Sequence, residues 1–286
     1  MKLGLGSYAC GWAVSAGRMT ARQLVDRAAE LGLSLVQIAD NIPVDKMALP
    51  ELLALRRDGV EIELGARGIA RDYMQRYLEA CRAVGSGILR VVIDSAGDEP
   101  TLEEAARRVA GLAPDLESAG VTLAIENHDR FRAAEFAWIV KAVGSPRVGI
   151  CLDTANSFGA LEGPDVVFEQ LLPLTVNLHL KDFAIHRFAN NMGFQIVGTP
   201  AGASARPGST ARDRPLADRS GPPLREGVPK TPVRSTTLGV VSLGCLSGGG
   251  LRRGSRRGTG LPRQRSGGGM SDGWYAVVAL FKRPLG

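Results

Sequence analysis

Seven short apolar runs recur along the first 202 residues, at 2–6, 35–40, 61–66, 88–94, 121–127, 148–153 and 176–182. Most of the gaps between them place apolar residues at three- and four-residue spacing, the period of a helix with one buried face. Strand followed by helix, repeated this often, demands parallel strands joined by crossover helices. A doubly wound open sheet would produce the same alternation, but it more often carries a glycine-rich phosphate loop after its first strand. No GxGxxG or Walker pattern is present, so the pattern favours an α/β chain folded as a (β/α)8 TIM barrel with about seven strand–helix units. In such a barrel the carboxyl ends of all strands open on one mouth, where active sites sit. Several of these runs carry a polar residue at or near their carboxyl end: Asp40, Asp94, Glu126, Asp153 and His179.

Helix boundaries are written into the same stretch. A helix over 20–31 would bury Leu24, Ala28 and Leu31 behind Thr20 as N-cap. A second, over 101–119, begins with the capping box Thr101-Leu102-Glu103-Glu104 and stops before Gly120. Stretches 73–84 and 133–143 read the same way, each followed by Gly.

After residue 202 the texture changes. Residues 1–202 hold 20 Lys and Arg against 25 Asp and Glu, whereas residues 203–286 hold 15 against 4. The overall charge of +6 therefore describes neither part. Gly, Pro and Ser supply 33 of the last 84 residues, too little apolar surface to offset the entropy of ordering. We therefore divide the chain into a barrel domain, 1–202, and a low-complexity Arg/Gly/Pro/Ser-rich tail, 203–286, expected to be disordered. Only 274–281 is apolar enough to resemble a strand. Such a composition is what a GC-rich gene yields when read out of frame.

Three strand-end motifs carry the chemistry: Ile125-Glu126-Asn127-His128-Asp129, Leu152-Asp153-Thr154-Ala155-Asn156 and Asn177-Leu178-His179-Leu180-Lys181-Asp182. A charged group ending a buried apolar run is costly unless it is paired or binds a metal. Two carboxylates with an imidazole suit a borderline divalent ion, Mn²⁺ first, with Co²⁺, Zn²⁺ or Mg²⁺ also admitted. The histidines, His128, His179 and His186, all lie between residues 126 and 186, the stretch that carries both carboxylates. Tyr8 and Trp12 follow the first strand, where they would line a substrate pocket or pack in the core.

With these motifs, the opening Gly6-Ser7-Tyr8 and the later Gly193-Phe194-Gln195-Ile196-Val197-Gly198, residues 3–202 resemble the xylose isomerase-like TIM barrel superfamily, the sugar phosphate isomerase/epimerase group. The resemblance implies one divalent metal held by Glu126, Asp153, His179 and a Glu on the last strand. It also implies Arg187 as a substrate-binding arginine; His128, Lys181, Tyr8 and Trp12 are our own candidates to surround a small-molecule sugar, with Lys181 or Asp182 contacting substrate or orienting His179. Isomerisation or epimerisation of a ketose or polyol would run through an enediolate, with Glu126 as one of two proton-transferring carboxylates. The last-strand Glu has no counterpart in the pattern after residue 203, where the one glutamate, Glu226, sits in a Pro/Gly/Arg tract. An isomerase without it would be impaired. A keto-inositol dehydratase-type lyase and a non-catalytic metal- or sugar-binding remnant are the alternative readings.

Other classes fit poorly. No apolar run approaches the ~20 residues of a membrane span, and the N-terminus reads as a strand and not as a signal peptide. The cysteines, Cys10, Cys81, Cys151 and Cys245, form no CxxC pair, so a reducing cytoplasm is expected. The arginine-rich tail lacks aromatic stacking platforms before Trp274, which argues against a nucleic-acid partner. A homo-oligomer is compatible with the reading.

Overall fold

The computed structural model describes residues 2–187, 194–199 and 279–280. Its elements in chain order are β1 Lys2–Gly6, α1 Gly11–Ser15, α2 Ala21–Glu30, β2 Leu35–Ile38, α3 Leu49–Ala54, β3 Glu61–Arg67, α4 Arg71–Val84, β4 Ile88–Val92, α5 Leu102–Ala119, β5 Thr122–Glu126, α6 Ala133–Val143, β6 Val148–Asp153, α7 Pro164–Leu171, β7 Thr175–His179, β8 Asp182–Arg187, β9 Phe194–Thr199 and β10 Ala279–Leu280. Strands β1 to β7 pair in sequential order, each parallel to the next. They form the curled sheet of an incomplete TIM barrel. β10, inside the strand-like segment of the tail, pairs antiparallel with the free edge of β1, Lys2 opposite Leu280. The remainder of residues 203–286, the disorder expected of it and Glu226 lie outside the described residues.

The local rules explain the helices. Thr20 accepts from the Gln23 amide while Gln23 reaches back to Thr20, a reciprocal cap. Thr101 caps α5 by accepting from the Glu104 amide, and Gly120 ends it at φ +67, a conformation costly for residues with a Cβ. Along α5, Ala105, Val109, Leu112 and Leu116 are buried, one stripe of a 3.6-residue period.

The strands have two buried faces. Val36, Ile38, Leu64, Leu89, Leu123, Ile125, Ile150 and Leu152 belong to the main cluster, packed with the helices. Burying each such side chain contributes roughly 1.5–3 kcal/mol. Alternate positions point inward, where Ile88, Ala124 and Cys151 form a separate apolar cluster. Above it lies a layer of buried polar groups: Gln37, Glu63, Arg90, Glu126 and Asn177.

Two differences from the sequence reading bear on the site. The run 176–182, read as one strand, is divided between β7 and the hairpin β8–β9. Thr154 is the cause: its hydroxyl accepts from the Lys181 amide at 2.8 Å and donates to the Lys181 carbonyl at 2.7 Å. These bonds satisfy Lys181's backbone outside any sheet and let the chain turn away after His179. Between β6 and β7 the register shifts by one residue at Ile150/Cys151, which sets His179 opposite Asp153. Gly149 makes this approach possible, because a Cβ there would lie 2.7 Å from Val176 Cγ1 and 3.0 Å from the Leu174 carbonyl oxygen.

Candidate metal centre

Glu126, Asp153 and His179 are the last residues of β5, β6 and β7. Parallel pairing brings them to one point: His179 Nδ1 lies 3.4 Å from Glu126 Oε1 and 3.8 Å from Asp153 Oδ2. All three side chains are buried.

Their surroundings decide which atoms are committed. Asp153 Oδ1 accepts from the backbone amides of Ala155 at 2.9 Å and Asn156 at 3.0 Å, closing the loop that follows β6. Asn127 braces the same turn from β5, accepting from the Asp153 amide at 2.6 Å and donating to its carbonyl at 2.9 Å. Asp153 Oδ2 is buried without a hydrogen bond, although the Lys181 ammonium stands 2.8 Å away as an ion pair outside hydrogen-bond geometry. Lys181 donates instead to Asn156 Oδ1 at 2.8 Å, and Asn156 Nδ2 donates to Glu126 Oε1 at 2.7 Å.

Arg90, buried in β4, binds the other Glu126 oxygen, Oε2, and Asp40 Oδ1 at 3.0 Å. Burial alone would depress the guanidinium, but Glu126 and Asp40 override it and push it up. Burial would likewise raise Glu126, yet Arg90 first, then His179 and Lys181, hold its carboxyl well below the usual range. Gly65, paired with Arg90 across β3–β4, leaves room for the arginine stem: its missing Cβ would lie 3.5 Å from Arg90 Cδ and 3.0 Å from Ala39 Cα.

The donor set fits a divalent cation. Carboxylate oxygens of Glu126 and Asp153 lie 3.4 and 3.8 Å from His179 Nδ1, and the buried Asp153 oxygen is met by the Lys181 ammonium at 2.8 Å without hydrogen-bond geometry. A second grouping, Glu126, Cys151 and His179, has ligand atoms within 4.8 Å of one another. Cys151, however, donates its S–H to Asn177 Oδ1 at 3.3 Å, and burial pushes its thiol well above the ordinary value. Of the two sets, Glu126, Asp153 and His179 offer the ready ligands.

The sequence profile of the xylose isomerase-like TIM barrel family matches residues 12–218. The chain belongs to that family. A 3-oxo-isoapionate decarboxylase of Pectobacterium atrosepticum is 34% identical over 205 residues, 69% of this chain and 74% of that protein. Among solved structures, a D-psicose 3-epimerase crystallised with D-fructose aligns with a TM-score of 0.52 at 16% identity, over 62% of this chain and 72% of its own. A xylose isomerase-like protein of Mycobacterium smegmatis in complex with magnesium aligns at 0.51 and 14% identity, over 63% of this chain and 72% of its own. At these identities the structures share the fold. The family match runs past residue 202, beyond the boundary drawn from composition.

The other residues singled out in the sequence are more scattered. Tyr8 donates to Asp40 Oδ2 at 2.9 Å, and burial of its hydroxyl end, followed by Asp40, pushes the phenol up to about 12. It thus joins the Arg90–Asp40 side of the mouth. Trp12 is 65% exposed beneath the Arg18 guanidinium and is not a core residue. His128 pairs with its neighbour Asp129, and His186 is exposed in β8. Asp94 pairs with Arg130 at 2.8 Å, and burial raises its carboxyl. Arg187 ends β8, but its side chain lies outside the described residues, as does the expected last-strand Glu. Among the described residues no helix is long and apolar enough to cross a membrane.

Sequence reasoning passed over Gln37, Glu63, Arg90 and Asn177. Each is a polar residue between apolar neighbours inside a strand, and that interruption was the available signal.

Proposed function

We propose that this chain is built as a divalent-metal enzyme acting on the carbonyl end of a small sugar or oxo sugar acid, with Glu126, Asp153 and His179 holding the ion. The observation that carries this reading is the meeting of Glu126 Oε1 and Asp153 Oδ2 with His179 Nδ1, at 3.4 and 3.8 Å, at the buried ends of three neighbouring strands. A bound divalent ion would polarise the substrate carbonyl and stabilise the negative oxygen of the enediolate formed in isomerisation or epimerisation, or of the enolate left by decarboxylation of a 3-oxo acid.

The finer reaction turns on proton handling. Isomerisation or epimerisation needs an acid–base group on each face of the substrate, each contributing roughly 10²–10⁴-fold. Glu126 is engaged through both oxygens, by Arg90 and Asn156, and Asp153 is committed to its loop and the ion. Loss of CO₂ from a 3-oxo acid needs no base, only a site for the electron pair left by the broken C–C bond and one proton donor. Lys181, paired with Asp153 at 2.8 Å and one-fifth exposed, supplies a cation to meet the substrate carboxylate. The relative named a 3-oxo-isoapionate decarboxylase supports the same choice. We therefore favour decarboxylation of a small oxo sugar acid over isomerisation of a neutral ketose.

The test is calorimetric titration of the full chain with Mn²⁺ and Mg²⁺, followed by assays on ketoses and 3-oxo sugar acids. We expect saturable ion binding and ion-dependent CO₂ release. Asp153→Asn, which replaces an anionic ligand by a neutral amide, should weaken binding by more than the ~10–100-fold typical of residues that only orient a ligand. Absence of ion binding would overturn the reading. Interconversion of ketoses without CO₂ release would replace decarboxylation by isomerisation.

A further inference from the structure

The polar layer inside the barrel is a directional chain of hydrogen bonds leading to His179. Glu63 Oε2 accepts from Asn177 Nδ2 at 2.7 Å and from Gln37 Nε2 at 3.3 Å. Gln37 Oε1 then lies 2.7 Å from His179 Nε2. All four side chains are buried, so no water is free to substitute for a misdirected partner.

A carboxylate only accepts. With Glu63 as the fixed acceptor, both amides must turn their NH₂ groups towards it. Gln37 therefore presents its oxygen to His179. An amide oxygen cannot donate, so the proton of the neutral imidazole must sit on Nε2. The lone pair is then on Nδ1, the atom facing Glu126 Oε1 and Asp153 Oδ2. Strand pairing supports the relay, since Gln37 and Glu63 are direct partners across β2–β3.

We infer that Glu63 and Gln37 are positioning residues that fix the tautomer of His179 and aim its Nδ1 lone pair at the metal centre. The inference rests on the proposed role of His179 as a ligand. Its structural half, the tautomer, is independent of any ion. A neutral Glu63→Gln side chain can donate to Gln37 Oε1, which lets the Gln37 amide invert and offer its NH₂ to His179 Nε2. The ring proton would then move to Nδ1 and block the ligand position. Gln37→Met removes the acceptor at nearly the same volume.

The experiment uses the full chain labelled with nitrogen-15 at histidine, free of metal, at a pH where the imidazoles are neutral. The His179 resonances are assigned by their loss in His179→Gln. We expect wild type to show the Nε2–H tautomer, and Glu63→Gln and Gln37→Met to shift towards Nδ1–H. Calorimetric Mn²⁺ affinity should fall about 10–100-fold in both, the usual range for residues that orient a metal-bound histidine. Far-ultraviolet circular dichroism separates this from misfolding, and either variant suffices if the other does not fold. A folded variant that keeps the Nε2–H tautomer and binds Mn²⁺ within threefold of wild type would overturn the relay. A wild type that binds no Mn²⁺, together with the tautomer change in the variants, would sink the metal reading and leave the relay standing.

Discussion

The carboxyl ends of β1–β4 and of β5–β7 open on the same mouth and are built in opposite ways. On the first side the polar groups close on one another. Ser7 accepts from the Ala39 amide at 2.9 Å, and Asp40 takes Tyr8 at 2.9 Å, Arg90 at 3.0 Å and Arg67 at 3.4 Å. Glu63 gathers the amides of Gln37 and Asn177. On the second side Asp153 Oδ2 is buried without a hydrogen bond, and His179 Nδ1 faces two carboxylates. The close partner of that Asp153 oxygen is the Lys181 ammonium at 2.8 Å, and a buried charge so sparsely partnered persists only where satisfied neighbours hold it. The contrast separates a framework, which should matter for stability, from a set of open donors, which should matter for binding.

Arg90 tests the framework most severely. It reaches across to Glu126, and replacing it by Met strips the buried Glu126 of its strongest charge partner, while Asp40 keeps Arg67 and Tyr8. Arg90→Met should lower the unfolding free energy by about 3–5 kcal/mol in urea titration. A loss below about 1 kcal/mol would mean that the two sides are not linked through this residue.

The junction of β6 and β7 comes next. In Gly149→Ala the new methyl would meet Val176 and the Leu174 carbonyl at 2.7 and 3.0 Å, a backbone contact that cannot simply rotate away. We expect a loss of about 1–3 kcal/mol, together with weaker Mn²⁺ binding, because the one-residue shift that sets His179 opposite Asp153 is strained. Lost stability with unchanged Mn²⁺ affinity would show that the bulge does not aim the site.

The smallest effect is a pH dependence. The Glu126 carboxyl is held well below its ordinary value, by Arg90 above all. A lowered folded-state value gives stability that is present above the unfolded value, about 4.3. It is lost as the pH falls from there through the folded value. In that window the unfolded chain binds one more proton, so the metal-free chain should lose about 1.4 kcal/mol per pH unit from this residue. Glu126→Gln should remove that component of the slope. Identical acid profiles for the two chains would place the acid sensitivity in other residues.

Much of this was legible in the sequence. Thr101 and Gly120 marked the ends of α5 because caps act within one turn. The seven apolar runs marked seven parallel strands, since a strand buried on both faces has no polar alternation to confuse. Glu126, Asp153 and His179 could be named because each closes such a run, and parallel strands end on one side. Lys181 was named too, but its pairing with Asp153 was not, for the turn that Thr154 imposes appears only when the loop after β6 meets the end of β7.

What the linear order determined, then, was the element sequence and the residues at the strand ends, because caps, periodicity and strand termini are short-range properties. Tertiary structure alone decided how those residues are used. Gln37, Glu63 and Asn177 are far apart in the chain and become one relay only through strand register, and Asp153 meets His179 only through the one-residue shift beside Gly149. Register and shift are set by packing between strands separated by whole helices. No local pattern records which side chains that packing brings within hydrogen-bond reach.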